Sequence, residues 1–97
     1  MKNNTTTEIN IEKEAEDAVK DLLDENKVLM LYNDDHNTFD HVSNCLQLYC
    51  AHTMNQALQC AYIVHYKGKC DVKHGSYDKL EPICTALLEH GLKAKIE

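Results

Sequence analysis

No arginine occurs in the 97 residues, and ten lysines face sixteen acidic residues. A nucleic-acid binder needs clustered cations to displace counterions from phosphates, so this composition argues against that class of partner. No apolar run approaches the ~18 residues that a membrane span requires, and no charged, apolar, small-residue leader pattern opens the chain. A cytoplasmic protein with no membrane partner is therefore expected. Repeated close cysteine pairs are missing too. Cys45, Cys50, Cys60, Cys70 and Cys84 form an odd set without framework spacing, which reads as reduced thiols buried as small hydrophobes.

What remains suits one small soluble domain, with 43% hydrophobic and 27% charged residues. The net charge of −6 is unevenly spread: in residues 1–26, eight acids against three lysines leave −5, whereas in 27–97 eight acids against seven lysines leave −1. The opening stretch is too polar to bury much surface. It reads as a flexible acidic tail over residues 1–26 with a transient helix over Glu12–Leu23, ahead of a core over residues 27–97.

Val28–Tyr32 is a continuous apolar run closed by the turn-forming Asn33-Asp34-Asp35, which predicts a central strand covered on both faces. Phe39, Val42, Leu46 and Tyr49 recur at helical spacing, with Asn37 or Thr38 placed to cap the start. Thr53 and Gln56 form a capping-box pair before a second helix carrying Met54, Ala57, Leu58, Ala61 and Val64, and Gly68 suits its left-handed end. Lys69–Lys73 alternates like a strand with one wet face. A third helix spans about Tyr77–His90, with Pro82 either in its first turn or at a kink, and stops at Gly91. Lys93–Glu97 is a last alternating strand. The order β-α-α-β-α-β predicts an α+β fold, a three-stranded antiparallel sheet packed against helices on one face.

The densest polar feature is Asn33–Thr38. Calcium fits it poorly, because the loop is too short for ~6–8 oxygen ligands and lacks the glycine and distal glutamate of an EF-hand. Turn-making and helix capping explain these residue types without any ligand. His65, taken alone, reads as a core histidine satisfied by one hydrogen bond. The combination says more. If the second helix packs beside the loop, an imidazole, an amide oxygen and a carboxylate converge next to apolar walls from Phe39, Val42, Ala61, Val64 and Leu92. An α-amino group titrates near ~8 and is mostly a cation with three donors, so it seeks such acceptors. Burying a following Leu or Phe side chain is worth roughly 1.5–3 kcal/mol.

Val28–Asp35, Thr38–Val42 and Val64-His65-Tyr66-Lys67-Gly68-Lys69 closely resemble the ClpS family of Clp protease adaptors and N-end-rule recognition proteins, over about Lys27–Glu97. The resemblance implies the same order of elements, binding of N-terminal Leu, Phe, Tyr or Trp, and docking on the N-terminal domain of a ClpA- or ClpC-like AAA+ unfoldase. It implies no catalysis and no cofactor. It points to Asn33, Asp35 and His65 as α-amino ligands supported by Asp34, and to Asn37, Phe39, Val42, Ala61, Val64 and Leu92 around the side-chain pocket. Phe39 and Ala61 stand where methionines are common in the family, Asn37-Thr38 replaces a frequent Thr-Pro, and Cys70–Gly91 is several residues shorter than usual. A transition-metal module built from Cys45, Cys50, His52, Cys60, Cys70, His74 and Cys84 is the alternative, against which the spacing counts. A Cys–His catalyst lacks any recognisable nucleophile motif.

Overall fold

The apolar run after Lys27 becomes the middle strand of the sheet. A computed structural model describes the backbone of residues 2–97 and the side chains from Glu12 onward. The elements are α1 (Lys2–Leu23), β1 (Lys27–Tyr32), α2 (Phe39–Tyr49), α3 (Met54–Lys67), β2 (Lys69–Gly75), α4 (Tyr77–Glu89) and β3 (Lys93–Ile96). The sheet order is β2-β1-β3, with both pairings antiparallel. Beyond β3 the pairing persists, because Val28 and Glu97 exchange both backbone hydrogen bonds at 2.8 Å.

The middle strand is not covered equally on its two faces, as its unbroken apolar run had suggested. Leu29 and Leu31 are buried, whereas Val28, Met30 and Tyr32, which alternate with them, are only half-buried. The pleat turns alternate side chains to opposite faces, and the helices pack on one of them. Leu29 and Leu31 meet Leu46 of α2, Ala57 and Val64 of α3, and Leu80 and Leu87 of α4. Between Leu29 and Met30 the pairing with β2 slips, skipping Val72. A bulge leaves ladder groups unpaired, and the His52 ring Nε2 bonds the Val72 carbonyl at 2.6 Å.

Local chemistry explains the helix ends. The Thr38 hydroxyl caps α2, accepting from the His41 N–H at 3.1 Å. Thr53 and Gln56 form both halves of the capping box at α3, and Gly68 ends that helix at φ 92°. Pro82 lies in the second turn of α4, and the helix runs through it; the Asp78 carbonyl forgoes its usual i+4 donor there. The helix foreseen over Glu12–Leu23 is part of the longer α1. From Glu12 to Leu23 every described side chain of α1 is exposed, and none joins the core. Ion pairs of Asp21 with Lys27 at 3.2 Å and of Glu25 with Lys79 at 2.9 Å join this end of the chain to the body. Exposed pairs of this kind contribute at most about 1 kcal/mol each.

Leu46, fully buried, and Leu48, 74% exposed, sit two residues apart on α2. Leu46→Ala should lower unfolding free energy by about 2–5 kcal/mol. Leu48→Ala should stay within about 0.5 kcal/mol of the parent. Urea unfolding of both variants checks this, and equal losses would contradict the assigned face of α2.

Candidate functional site

The loop after β1 is held from three sides. The Asn33 N–H donates to the Gly68 carbonyl at 2.9 Å, which ties the strand end to the end of α3 and sets Asn33 beside His65. Asp34 then builds the turn. Its Oδ1 accepts from the backbone N–H groups of His36 at 2.8 Å and Asn37 at 2.9 Å, and its Oδ2 accepts from the Asn37 side-chain amide at 2.6 Å. Partial burial works against ionisation of Asp34, but the donors from His36 and Asn37 outweigh it, so its carboxyl lies below the usual range.

The same Asn37 amide donates to the Gly91 carbonyl at 2.9 Å. One turn into α2, the His41 Nε2 bonds the His90 carbonyl at 2.8 Å. Gly91 can present its carbonyl there because its φ of 82° is a left-handed conformation that favours glycine. Together these two contacts draw the α4–β3 turn against the loop and carry Leu92, 3% exposed, beneath it.

A small hollow, partly open to solvent, lies between the loop, α2 and α3. Val42, Ala61, Val64 and Leu92 supply apolar walls, Phe39 stands at its lip, and Asn33, Asp34 and His65 supply polar atoms. His65 is exposed. Among the described residues its ring makes no hydrogen bond, only edge contacts with Phe39 at 5.6 Å and Tyr66 at 4.8 Å between ring centroids. It is therefore not a core histidine satisfied within the fold. Asn33 has no side-chain hydrogen bond among the described residues either, so the polar atoms of both side chains stand unused at the mouth of an apolar recess.

Nine of the ten residues singled out from the sequence line this hollow: Asn33, Asp34, Asn37, Phe39, Val42, Ala61, Val64, His65 and Leu92. Asp35 does not. It is exposed, without a hydrogen bond or ion pair among the described residues. Asp34 is turned inward by its three donors, and the next side chain along the loop stays in solvent. Leu31, Tyr32 and Thr38 also line the hollow. Their pattern marks them as strand and cap residues, and no local spacing separates that role from pocket lining.

The sulfur and imidazole groups do not assemble into a centre. All five cysteines are free, with only Cys60 part-exposed. Burial pushes the Cys50 thiol up to about 11 and, together with neighbouring Cys60, the Cys70 thiol up to about 12, so both are neutral and poor nucleophiles near pH 7. Among the described residues no three His, Cys, Asp or Glu side chains converge to hold a metal ion. No helix among them is long and apolar enough to cross a membrane.

The family model for the ATP-dependent Clp protease adaptor protein ClpS matches residues 23–95. The chain belongs to the ClpS family. A curated ClpS, the ATP-dependent Clp protease adapter protein of Thermosynechococcus vestitus, is 40% identical over 67 residues, covering 68% of this chain and 70% of that protein. The fold matches the solved structure of Agrobacterium tumefaciens ClpS2 bound to L-phenylalaninamide, with a TM-score of 0.68 and 22% identity, over 73% of this chain and 93% of that one. The ClpS match starts at Leu23, the last residue of α1, and takes in every later element up to Lys95 in β3.

Proposed function

We propose that this ClpS-family protein captures polypeptides whose first residue is Leu, Phe, Tyr or Trp and delivers them to the N-terminal domain of a ClpA- or ClpC-like AAA+ unfoldase for degradation. The observation that carries this reading is the pairing of unused polar acceptors at Asn33 and His65 with an apolar recess directly below them. A protonated α-amino group is a compact cation with three donors. Asn33 and His65 would each accept one of them, and the exposed Asp35 carboxylate closes over the third. Asp34, engaged in the turn, contributes its negative charge from the hollow's wall. The first side chain then enters between Phe39, Val42, Ala61, Val64 and Leu92, with Asn37 holding the wall to the α4–β3 turn. The ligand of the related ClpS2, phenylalaninamide, has a free α-amino group beside a benzyl side chain, the chemistry this arrangement suits.

In this reading residues 27–97 are the capturing core. Residues 1–26 act as an acidic arm that takes part in handing the substrate over, consistent with the described side chains of Glu12–Leu23, none of which joins the core. Buried free thiols favour a reducing compartment such as the cytoplasm. No catalytic step and no cofactor enters the proposal.

Calorimetry with peptides differing only at residue one tests it. Peptides opening with Leu, Phe, Tyr or Trp should bind roughly 10- to 150-fold more tightly than those opening with Gly or Ser, the equivalent of about 1.5–3 kcal/mol of side-chain burial. Affinity that ignores the first residue would reject the proposal.

A further inference from the structure

Among the described residues, an apolar ridge without a partner runs along α3 from the mouth of the hollow. Leu58, Tyr62 and Tyr66 recur every four residues and are 42%, 57% and 66% exposed, respectively. Side chains at this spacing stack on one helix face. On a surface helix that face is ordinarily polar, and a contiguous exposed apolar patch marks a contact surface. The ridge is pre-ordered. The Tyr66 ring meets the His65 ring edge-on at 4.8 Å and lies 4.3 Å from the Tyr62 ring, at an interplanar angle of 40°. Beyond Tyr62, a shallow hollow opens between Leu58, Gln59 and Ile63.

We infer that this ridge is a second subsite, which receives apolar or aromatic side chains among residues two to five of the captured polypeptide. The inference rests on the proposed amino-end site and extends it. The argument for this occupant is continuity: a chain whose amino group is held at His65 starts one ring away from Tyr66. Length agrees. Leu58 to Tyr66 spans eight residues of helix, about 12 Å at 1.5 Å each, which an extended peptide covers in about four residues. Chemistry agrees as well. Helix α3 carries no acidic side chain, and neither the Tyr62 nor the Tyr66 hydroxyl has a partner among the described residues, so both are open to peptide backbone groups.

Two peptides and one double variant test the inference. One peptide opens Leu-Gly-Gly-Gly-Gly and the other Leu-Ala-Phe-Leu-Ala, with identical tails. The second should bind the parent protein about 10-fold more tightly, the equivalent of one or two aromatic contacts. In Tyr62→Ser/Tyr66→Ser that gain should shrink to within about twofold, while affinity for the glycine peptide stays the same. Both side chains are exposed, so the variant's melting temperature should match the parent's; if it does not fold, Tyr62→Ser alone replaces it. Equal affinities of the two peptides for the parent, with Leu still required at residue one, would overturn the ridge and leave the amino-end site standing. A gain that survives in the variant would also overturn it. If neither peptide binds, both readings fail. If the variant instead breaks a dimer seen by sedimentation, or loses the unfoldase with peptide affinities unchanged, the ridge serves that partner and the inference falls.

Discussion

N-acetylation of a peptide that begins with Leu should weaken its binding at least about 100-fold. The acetyl group removes the positive charge and leaves a single N–H where three donors had been. Hydrogen bonds to charged groups are worth about 1.5–3 kcal/mol each, so the loss of two reaches that factor. The carbonyl it adds points an acceptor at acceptors, because Asn33, Asp34 and His65 all line the hollow, and the Asp35 carboxylate follows Asp34 in the exposed loop. The apolar contacts below are untouched by the modification, so the experiment isolates the rim from the recess. Calorimetry on the paired peptides is the measurement. Equal affinity would mean that the hollow reads side chains without reading chain ends, and the amino-end site would have to be abandoned.

The second large effect separates two neighbouring carboxylates. Asp35→Ala should reduce affinity about 10- to 100-fold, the cost of one charge-assisted contact to a bound ammonium. Stability should not change, since Asp35 holds nothing within the fold among the described residues. Asp34→Ala should lower both affinity and stability, because three hydrogen bonds of the turn end on that side chain. Its net structural cost should be about 1 kcal/mol, limited by solvent competition. The stability effect of Asp34→Ala should also depend on pH. A carboxyl whose folded pKa is depressed stabilises the fold above its unfolded value near ~3.9, and that contribution disappears as pH falls through the lower folded value. Asp34 is such a group. Below about pH 4 the stability gap between the parent and Asp34→Ala should therefore close. Urea unfolding across pH, with peptide calorimetry at neutral pH, checks both statements. If Asp35→Ala unfolds the protein, Asp35 is a structural residue and not a ligand.

Much of the fold was legible because it rests on short-range patterns. The threes and fours of Phe39, Val42, Leu46 and Tyr49 describe the α2 face, and Thr53 with Gln56 announces the start of α3 as plainly as the observed capping box does. Where a pattern admitted two structures, the sequence could not choose. The apolar run of β1 fitted a strand covered on both faces, yet only Leu29 and Leu31 are sealed by helices. Pro82 fitted a first turn or a kink, and stands in a second turn that the helix passes through.

The candidate site divides in the same way. By itself the sequence determined which polar groups are crowded into Asn33–Thr38, that His65 lies near the end of a helix, and, through its likeness to the ClpS family, which apolar residues belong beside them. Only the tertiary structure decided that Asp34 is spent on the turn and that, among the described residues, neither Asp35 nor the His65 ring has a hydrogen-bond partner. It also showed that the amide of Asn37 reaches 54 positions along the chain to the Gly91 carbonyl and brings Leu92 under the loop. The reason is physical. Periodicity and capping express interactions within a few residues, so they can be read from one segment. Whether a polar side chain is engaged or unused depends on partners delivered from distant parts of the chain, and those are set only once the helices have packed on the sheet.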